Sequence, residues 1–507
     1  MSGGFYISDD LLHWDWFKDT HLPIDRYAPD VRVIGDYLYY SSSTAGKPAT
    51  FYRSKDPVNE GFEEVSSPFA FWDPNLFWDD DGRVYFYWGC SDETPIYGVE
   101  MDLATLQPLG DPVPLIGEHD DAHGWERVDY PKLKHRACQK ADPAKSAKLQ
   151  LETRAQTGRK PYIEGAFLNK FRGKYYLQYA APGTEIPVYG DGVYIADHPL
   201  GPYTYMENSP FSFRPKGFMT GAGHGSTIYD AAGNLWHAST MQISVNMMFE
   251  RRVGLFPAAV DEDGYLFCQQ HFADYPYDIP QGRFDPRSLK PKWMLLSYAC
   301  DAKASSTYQD HLPSLAVDEN SKTAWVAAGS KDEWLEIDLA QICDVHLIHL
   351  NFFDAEIPLQ EDIKQEGEPE TRLIDLSDEL RTRWILEGSV DGKTWCVLED
   401  KSAVNTNLPH DYVLWQEGIQ VRYIRLRSIE LPYNARLAIS GLRVFGTKEG
   451  VALPDAVTEV QVQRLEDEMT AYLNWRSVEN AQGYNVRYGI APDKLYTSYQ
   501  VYAKNEV

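Results

Sequence analysis

The chain has 507 residues, with 48 basic against 75 acidic side chains and a net charge of −27. This acidic balance argues against nucleic acid or an anionic membrane surface as a partner, because both are recognised by basic patches. No stretch approaches the roughly 18 consecutive apolar residues of a membrane helix, so no membrane insertion is expected. The opening sequence MSGGFYISDD lacks the pattern of an export signal. Two or three domains are expected at this length.

Six cysteines are scattered along the chain without a close pair, namely Cys90, Cys138, Cys268, Cys300, Cys343 and Cys396. Their spacing favours neither a zinc site nor a disulfide framework. We expect them to be unpaired and buried, since free cysteine buries readily.

Short strands alternate with Gly, Pro, Asp and Asn turns, which predicts an all-β architecture. The earliest segment, residues 1–17, is similar to 51–64 and 193–205, which fall in the outer parts of a repeat. We therefore interpret residues 1–17 as the outer half of a repeat unit whose inner half is missing.

The repeat is a strand-turn-strand unit in the first half of the chain. Its copies are APDVRVIGDYLYYSS (28–42), WDPNLFWDDDGRVYFYWG (72–89), IEGAFLNKFRGKYYLQYA (163–180) and HGSTIYDAAGNLWHAS (224–239). Such repeats predict a propeller, in which the first strand of each blade lines the central channel. The head positions of the last three copies are Asp73, Glu164 and His224, which we expect to meet in one axial pocket. Gly82, Gly173 and Gly233, each nine residues further on, are the predicted turn glycines.

Counting the half unit, five blades fill residues 1–280, with the first blade incomplete. A long polar insertion, residues 117–160, is predicted to lie over one rim, as loops of this length are often functional. Trp125 and Glu126 within it would cover the pocket, although a plain packing contact is equally compatible with the sequence. Trp72, beside the head position of its blade, is a further candidate for sugar binding.

Asp73 and Glu164 form a carboxylate pair in matching positions. Cleavage of a glycosidic bond uses such a pair, one protonated to assist the leaving oxygen and one ionised. Asp73 also precedes a proline and could cap a turn. Glu164 heads an apolar strand, where an unpaired charge would be costly.

Further candidates flank these positions. His224 lies between two glycines, which suggests close approach of the backbone to a ligand or ion; a hydrogen-bonded core histidine is the alternative. Arg252, of the Arg251-Arg252 pair, is a candidate to reach a sugar hydroxyl, although a salt-bridged surface pair is the default. Asp30 shares a strand face with the head of its blade and is the weakest catalytic candidate.

In combination these motifs resemble glycoside hydrolase family 43, which holds inverting arabinofuranosidases, xylosidases, arabinanases and exo-galactanases on a five-bladed propeller. The resemblance implies that Glu164 is the general acid and that Asp73 raises its pKa and orients it. It also implies that His224 lies beside a channel ion, usually calcium. The family's general base, an aspartate heading the first blade, has no counterpart here, so we expect either a shortened chain or a protein without the base.

Two further units are predicted after a Pro-rich stretch. Residues 292–447 contain strands spaced as in a β-sandwich and resemble the coagulation factor V/VIII type C (discoidin) domain, a jelly-roll. Asp318 would hold a structural calcium ion or form a tight turn. Residues 361–370 are an acidic loop that is expected to be solvated or disordered. Residues 451–507 resemble a partial fibronectin type III domain with Trp475 and Tyr484 as core aromatics.

The predicted function is hydrolysis of terminal O-glycosidic bonds in plant-type polysaccharides, arabinofuranosidase- or xylosidase-like and inverting. The alternatives are an exo-galactanase of the same fold, a non-catalytic carbohydrate-binding protein and, less favoured, a cell-surface adhesion protein. The predicted partner is an oligo- or polysaccharide, and oligomeric state is not specified by the sequence. By resemblance we expect a secreted, periplasmic or cell-surface protein.

Overall fold

A computed structural model describes residues 4–18, 22, 27–44, 46–117, 123–126, 161–184, 188–243, 251–353, 355, 380–450, 452–464 and 471–507. Most of the predicted insertion, the acidic loop 361–370 and Cys138 lie outside the described residues. Regular structure in the described part is strand, with short 3-10 turns at Gly124–Glu126, Pro286–Ser288, Pro313–Ala316 and Pro432–Asn434. Among these residues no helix is long and apolar enough to cross a membrane.

The first unit contains four sheets of four or more strands and one two-stranded sheet. The two-stranded sheet pairs β1 (Gly4–Ile7) with β2 (Asp15–Lys18). One larger sheet contains β3 (Tyr27–Ile34), β4 (Tyr37–Ser43), β5 (Phe51–Ser54) and β6 (Glu63–Ser66), and the next contains β7 (Asn75–Trp78), β8 (Val84–Trp88), β10 (Ile96–Met101) and β11 (Val113–Ile116). The third, six-stranded sheet contains β9 (Cys90–Ser91), β12 (Ile163–Phe171), β13 (Lys174–Ala181), β14 (Gly190–Ala196), β15 (Thr204–Tyr205) and β16 (Ser212–Phe213). The fourth contains β17 (Thr220–Tyr229), β18 (Leu235–Gln242), β19 (Arg252–Val260) and β20 (Leu266–Cys268).

The hairpin that begins each large sheet is the repeat seen in the sequence. Gly82, Gly173 and Gly233 lie in the turns of β7–β8, β12–β13 and β17–β18 with φ of 85°, 78° and 83°. Only glycine adopts this left-handed conformation without steric cost, so the predicted turn glycines are confirmed. The four antiparallel sheets form a propeller-like arrangement. The fifth, incomplete blade that we predict at β1–β2 stays a prediction.

The leading strands β3, β7, β12 and β17 follow one another around this arrangement. Buried side chains join them. Asp30 accepts hydrogen bonds from Asn75 Nδ2 (3.0 Å) and Leu76 N (2.8 Å). Asn75 Oδ1 accepts from Leu168 N (2.8 Å), and Asn169 Nδ2 donates to Thr227 O (3.0 Å). These bonds fix the relative height of the four strands, and therefore the height of the residues at their heads.

The second unit is an eight-stranded sheet around one apolar core. Its strands are β21 (Met294–Leu295), β22 (Asp301–Ala304), β23 (Trp325–Val326), β24 (Trp334–Phe352), β25 (Arg383–Ser389), β26 (Cys396–Asp400), β27 (His410–Glu430) and β28 (Ala438–Thr447). Trp325 and Trp384 are fully buried in that core. The structure thus confirms strands across the predicted range, whereas the discoidin family assignment and the jelly-roll stay predictions.

The third unit consists of two hairpins among the described residues. The first pairs β29 (Gln461–Arg464) with β30 (Ala471–Asn474), and the second pairs β31 (Gly483–Tyr488) with β32 (Thr497–Tyr502). Trp475 packs edge-on against Tyr484, with ring centroids 5.0 Å apart. The fibronectin type III assignment stays a prediction.

The five described cysteines are all free, as predicted. Cys268 and Cys343 are buried, Cys90 and Cys300 are half-buried and Cys396 is exposed. The expectation of burial therefore holds for two of them.

A buried ion network joins the first two units. Asp274, after β20, lies 3.2 Å from Arg214 and 3.8 Å from Arg443 of β28. Arg443 donates to both carboxylate oxygens of Glu319 at 2.9 Å. Burial acts to raise the pKa of Asp274, yet the charges of Arg214 and Arg443 hold it below its usual value. All four side chains are at most 3% exposed, so their charges are neutralised by one another rather than by contact with bulk solvent.

The third unit packs on the last sheet of the first. Lys494 contacts Asp261 (3.0 Å) and Asp263 (2.6 Å), and the Tyr496 ring stacks on Phe267 at 4.2 Å. Tyr275 OH and Tyr502 OH share a hydrogen bond of 2.8 Å. The described residues therefore connect all three units through polar and aromatic contacts.

Replacement of Asp274 tests this network. Asp274→Ala leaves two buried guanidinium groups without their shared partner, so we expect a loss of stability of about 3–5 kcal/mol. Differential scanning calorimetry measures it. Glu459→Ala, which breaks the exposed Arg476–Glu459 pair, is the control and should change stability by less than about 1 kcal/mol. Equal effects of the two substitutions would contradict the prediction.

Candidate active site

The heads of the leading strands share an irregular backbone. Ala28, Asp73 and His224 have φ of 45°, 52° and 54°, and Gly165, beside Glu164, has φ of 68°. The ladder shifts register beside three of these positions, in β3–β4, β12–β13 and β17–β18. A left-handed non-glycine residue costs about 1–2 kcal/mol, and β-bulges re-aim side chains. At these head positions the backbone therefore departs from regular strand geometry, and the side chains point in directions that a regular strand would not give them.

Asp73, Glu164 and His224 converge. One carboxylate oxygen from each acid and one ring nitrogen of His224 all lie within 4.8 Å of one another. These residues come from three different sheets, as the repeat geometry predicts. The two acids are buried and His224 is half-buried. The convergence itself is an observation, whereas the roles assigned to these residues stay predictions.

Asp73 is held against the neighbouring sheet. Its backbone N–H donates to Ser43 Oγ (2.8 Å), and Ser43 Oγ lies 3.5 Å from Asp73 Oδ1. Burial raises the pKa of Asp73 to about 7, although the Cys90 thiol, the Gly165 amide, Ser43 and the charge of Arg251 partly oppose the rise. Asp73 thus contacts groups of other strands rather than capping its own turn.

Glu164 is also buried. Tyr189 OH donates to its Oε1, and the Cys90 thiol lies 3.3 Å from its Oε2. Burial raises the pKa of Glu164, and the charge of Asp73 raises it further. The charge of His224 and the hydrogen bonds from Tyr189 and Cys90 act in the opposite direction. A carboxyl in this environment keeps its proton at a higher pH than an exposed glutamate does.

Asp191 of β14 holds the His224 segment in place. Its carboxylate accepts from His224 N (2.7 Å) and Gly225 N (2.9 Å), and His237 Nε2 lies 2.8 Å from the same group. His237 Nδ1 is in turn 2.8 Å from Thr227 Oγ1. The hydrogen bonds to the buried Asp191 therefore offset the free-energy cost of the left-handed backbone at His224. No local sequence motif identifies Asp191.

The glycines around His224 leave room for neighbouring aromatic and imidazole rings. A side chain at Gly223 would meet the ring of Tyr189, and one at Gly225 would meet the ring of His237. A Cβ on Gly165 would lie 2.8 Å from the His224 ring. Close approach of the backbone to a ligand or ion at His224 stays a prediction, while protein rings fill the positions that side chains at these glycines would take.

Trp72, which precedes Asp73 in the chain, stacks on Tyr27, with ring centroids 5.9 Å apart and ring planes 25° apart. Trp72 is 38% exposed and Tyr27 53% exposed. The pair presents a partly exposed aromatic surface at a residue that is adjacent to Asp73 in the chain. Tyr27 was missed in the sequence because its partner lies 45 positions away.

Trp125 and Glu126 do not join the cluster. The Trp125 indole donates to Tyr205 OH (3.0 Å) and packs on Tyr179, whose hydroxyl donates to the buried Glu126. These are the plain packing contacts that the sequence left as an alternative. Substrate binding by the two residues stays a prediction.

Arg251 interacts electrostatically with Asp73, and a role of Arg252 in substrate binding stays a prediction. The charge of Arg251 acts on Asp73, and its guanidinium donates to Thr184 Oγ1. The charge of Arg252 instead acts on His410 of the second unit.

Asp30 lies outside the cluster, in the hydrogen bonds that join β3 to β7. Burial raises its pKa, against the nearby charge of Arg32. Because the backbone amide of Leu76 and the side chain of Asn75 occupy its two oxygens, the geometry favours a structural role over the weak catalytic candidacy.

The three clustered residues have the chemistry to hold a divalent cation. Ca²⁺, however, takes about six to eight oxygen ligands, and this group offers two carboxylates and a nitrogen. Both Glu164 oxygens already accept from Tyr189 and Cys90, so the three residues alone do not make a calcium site. A calcium ion near His224 stays a prediction.

The structure shows a tight turn at Asp318. Its oxygens accept from Asn320 N (3.0 Å) and Thr323 Oγ1 (2.6 Å). This is the alternative that we weighed against a calcium ion, and the described contacts give no support for the ion.

A propeller-like set of sheets with buried carboxylates at the strand heads is compatible with a carbohydrate-active hydrolase. The chain belongs to the glycosyl hydrolases family 43, whose family model matches residues 7–266. It is accordingly a glycoside hydrolase.

Solved structures similar to the chain include a glycoside hydrolase with 17% identity, covering 87% of this chain and 90% of that one, with a TM-score of 0.46. A thermostable family-43 glycoside hydrolase has 22% identity, coverage of 56% and 88% and a TM-score of 0.42. A Cellvibrio cellulosa α-L-arabinanase complexed with arabinohexaose has 15% identity, coverage of 52% and 88% and a TM-score of 0.38. No curated protein matches the chain.

The pKa of Asp73 predicts a pH-dependent stability. Because the folded value is about 7 against an ordinary 3.8, the native state retains a proton that the unfolded chain releases. This contribution is fully present below about pH 4 and is lost as the pH rises through about 7. Asp73→Asn stays neutral, so its stability relative to wild type should increase by up to about 4 kcal/mol across that window.

Calorimetric unfolding of both proteins at several pH values measures this difference. The exposed Asp111→Asn is the matched control and should follow wild type throughout. A constant difference between Asp73→Asn and wild type at all pH values would contradict the prediction.

Proposed function

We propose that the chain hydrolyses terminal O-glycosidic bonds of plant-type polysaccharides, with arabinofuranosides or xylosides as substrates and inversion at the anomeric carbon. Galactosides, the substrates of an exo-galactanase, are the second choice. The single observation that carries the proposal is the burial of Glu164 beside Asp73, which raises the pKa of Glu164 above its usual value at the heads of the strands. Family membership independently supports glycosidic bonds as the target.

Glu164 acts as the general acid in this proposal. The glycosidic C–O bond breaks as the leaving oxygen takes the Glu164 proton. Water adds its oxygen to the anomeric carbon and gives up one proton to solvent, and Glu164 regains a proton from solvent for the next turnover. Burial keeps the Glu164 pKa high and the charge of Asp73, when it is ionised, raises it further, while Arg251 favours the ionised form of Asp73.

The separation of the acids argues for this division of roles. An inverting acid–base pair stands roughly 6.5–9.5 Å apart to admit water, whereas the clustered oxygens of Asp73 and Glu164 lie within 4.8 Å. Asp73 is therefore too close to act as the base opposite Glu164. A role of Asp73 in modulating the pKa of the acid fits this short separation.

Glu164→Gln tests the acid role. General acid–base catalysis contributes about 10²–10⁴-fold, so kcat on phenyl arabinofuranoside or xyloside should fall by that factor with little change in KM. Exposed Glu207→Gln is the control. Unchanged rates in Glu164→Gln would remove this residue from the mechanism, and oligosaccharide binding without hydrolysis by wild type would favour the carbohydrate-binding alternative.

The anomeric form of the first product, observed by NMR, tests the stereochemistry. Inversion supports the proposal. Retention would instead make Asp73 the nucleophile, since retaining carboxylates are only about 5–5.5 Å apart.

Trp72→Ala tests the aromatic surface. Loss of a sugar-stacking ring should raise KM about tenfold, equivalent to ~1.4 kcal/mol, with a smaller effect on kcat. Trp78→Ala is the matched control, because Trp78 is 46% exposed at the far end of β7, the strand that follows Trp72 and Asp73. A KM that is equally affected by both substitutions would contradict the role of Trp72.

A further inference from the structure

Cys90 occupies an unusual position in the fold. It follows Gly89, where φ is 152° and a Cβ would lie 2.9 Å from Ile96 Cα. There the chain leaves β8 and forms the two-residue strand β9, which pairs with the next sheet. In that pairing Cys90 is directly opposite Glu164. A residue that belongs by sequence to one blade is thus placed against the carboxyl of another.

The thiol contacts groups of the cluster on two sides. Cys90 Sγ lies 3.3 Å from Glu164 Oε2 and 2.9 Å from Tyr162 OH. Burial raises the pKa of Cys90, and the charges of Asp73 and Glu164 raise it further. The group is therefore a neutral thiol and has a proton to donate to Glu164.

Glu164 is consequently held by a different donor at each oxygen. Tyr189, which precedes β14, holds Oε1, and Cys90 of β9 holds Oε2. Two donors on separate strands fix both the position and the plane of the carboxyl. A thiol is a weak hydrogen-bonding group, so it orients Oε2 without competing strongly with a glycosidic oxygen.

We propose that Cys90 is a positioning residue for the general acid, acting through its contact with Glu164 Oε2. This inference rests on the proposed function of Glu164. It predicts that loss of the thiol impairs proton delivery specifically, rather than substrate binding or the fold.

Leaving-group dependence tests the proposal in the full-length protein. Phenyl glycosides need a proton on the leaving oxygen, whereas 2,4-dinitrophenyl glycosides largely do not. For Cys90→Ala we expect kcat on the phenyl arabinofuranoside or xyloside to fall about tenfold, with less than about threefold loss on the dinitrophenyl substrate and unchanged KM. Cys90→Ser retains a donor and should stay within about threefold of wild type on both.

The control is Cys396→Ala, which removes an exposed thiol of the second unit and should leave both rates unchanged. Equal losses on the two substrates in Cys90→Ala, or no loss on either, would overturn the inference. If Glu164→Gln shows the leaving-group dependence and Cys90→Ala does not, the inference alone fails. If Glu164→Gln turns over both substrates like wild type, the proposed function fails instead.

Infrared spectroscopy provides a readout that does not depend on turnover. The S–H stretching band of Cys90, assigned by its loss in Cys90→Ala, should lie at lower frequency in wild type than in Glu164→Ala, because hydrogen bonding weakens the S–H bond. A band at the same frequency in both proteins would show that the thiol does not donate to Glu164, and would overturn the proposal.

Discussion

Two carboxyl groups buried against one another are the constraint around which this site is built. Burial and mutual repulsion both disfavour their charged forms, so the surrounding groups must supply donors and positive charge. Ser43 comes from β4, Cys90 from β9, Tyr189 from the segment before β14 and Arg251 from the position just before β19. Each large sheet of the first unit therefore contributes to the same small volume, which forms only when the sheets are correctly assembled.

The backbone at the strand heads also helps to position these side chains. Asp73 and His224 are held in left-handed conformations, which are costly for residues with a side chain. The buried Asp191 offsets this cost at His224 by accepting two consecutive backbone N–H groups. Because an unpartnered buried amide costs about 1–3 kcal/mol, the arrangement makes the irregular backbone the more stable choice.

The second and third units contribute to the same folded structure. Asp274 of the first unit shares a dry ion network with Arg443 of the second, and Tyr502 of the third reaches Tyr275 beside it. Buried charges stabilise only when every member is paired. The network therefore specifies one arrangement of the three units at this junction, and breaking it should affect all of them.

The sequence by itself determined the strands, their hairpin turns and the positions of the acids in the repeat. These features depend on local chemistry, since a glycine at the turn and alternation along a strand act within a few residues. It was sufficient to predict that Asp73, Glu164 and His224 meet, because equivalent positions of a repeated unit occupy equivalent places. It also led, through resemblance, to the family.

Only the tertiary structure decided which neighbours surround those residues. Cys90, Tyr189 and Asp191 carry no motif, and they reach the cluster because strand pairing and bulges bring distant segments together. Likewise, the charge of Arg251 acts on Asp73 across sheets, a contact that no local sequence pattern indicates. The packing of rings against Gly165, Gly223 and Gly225 could not be predicted either, since a glycine is equally compatible with an approaching ligand and with a neighbouring side chain.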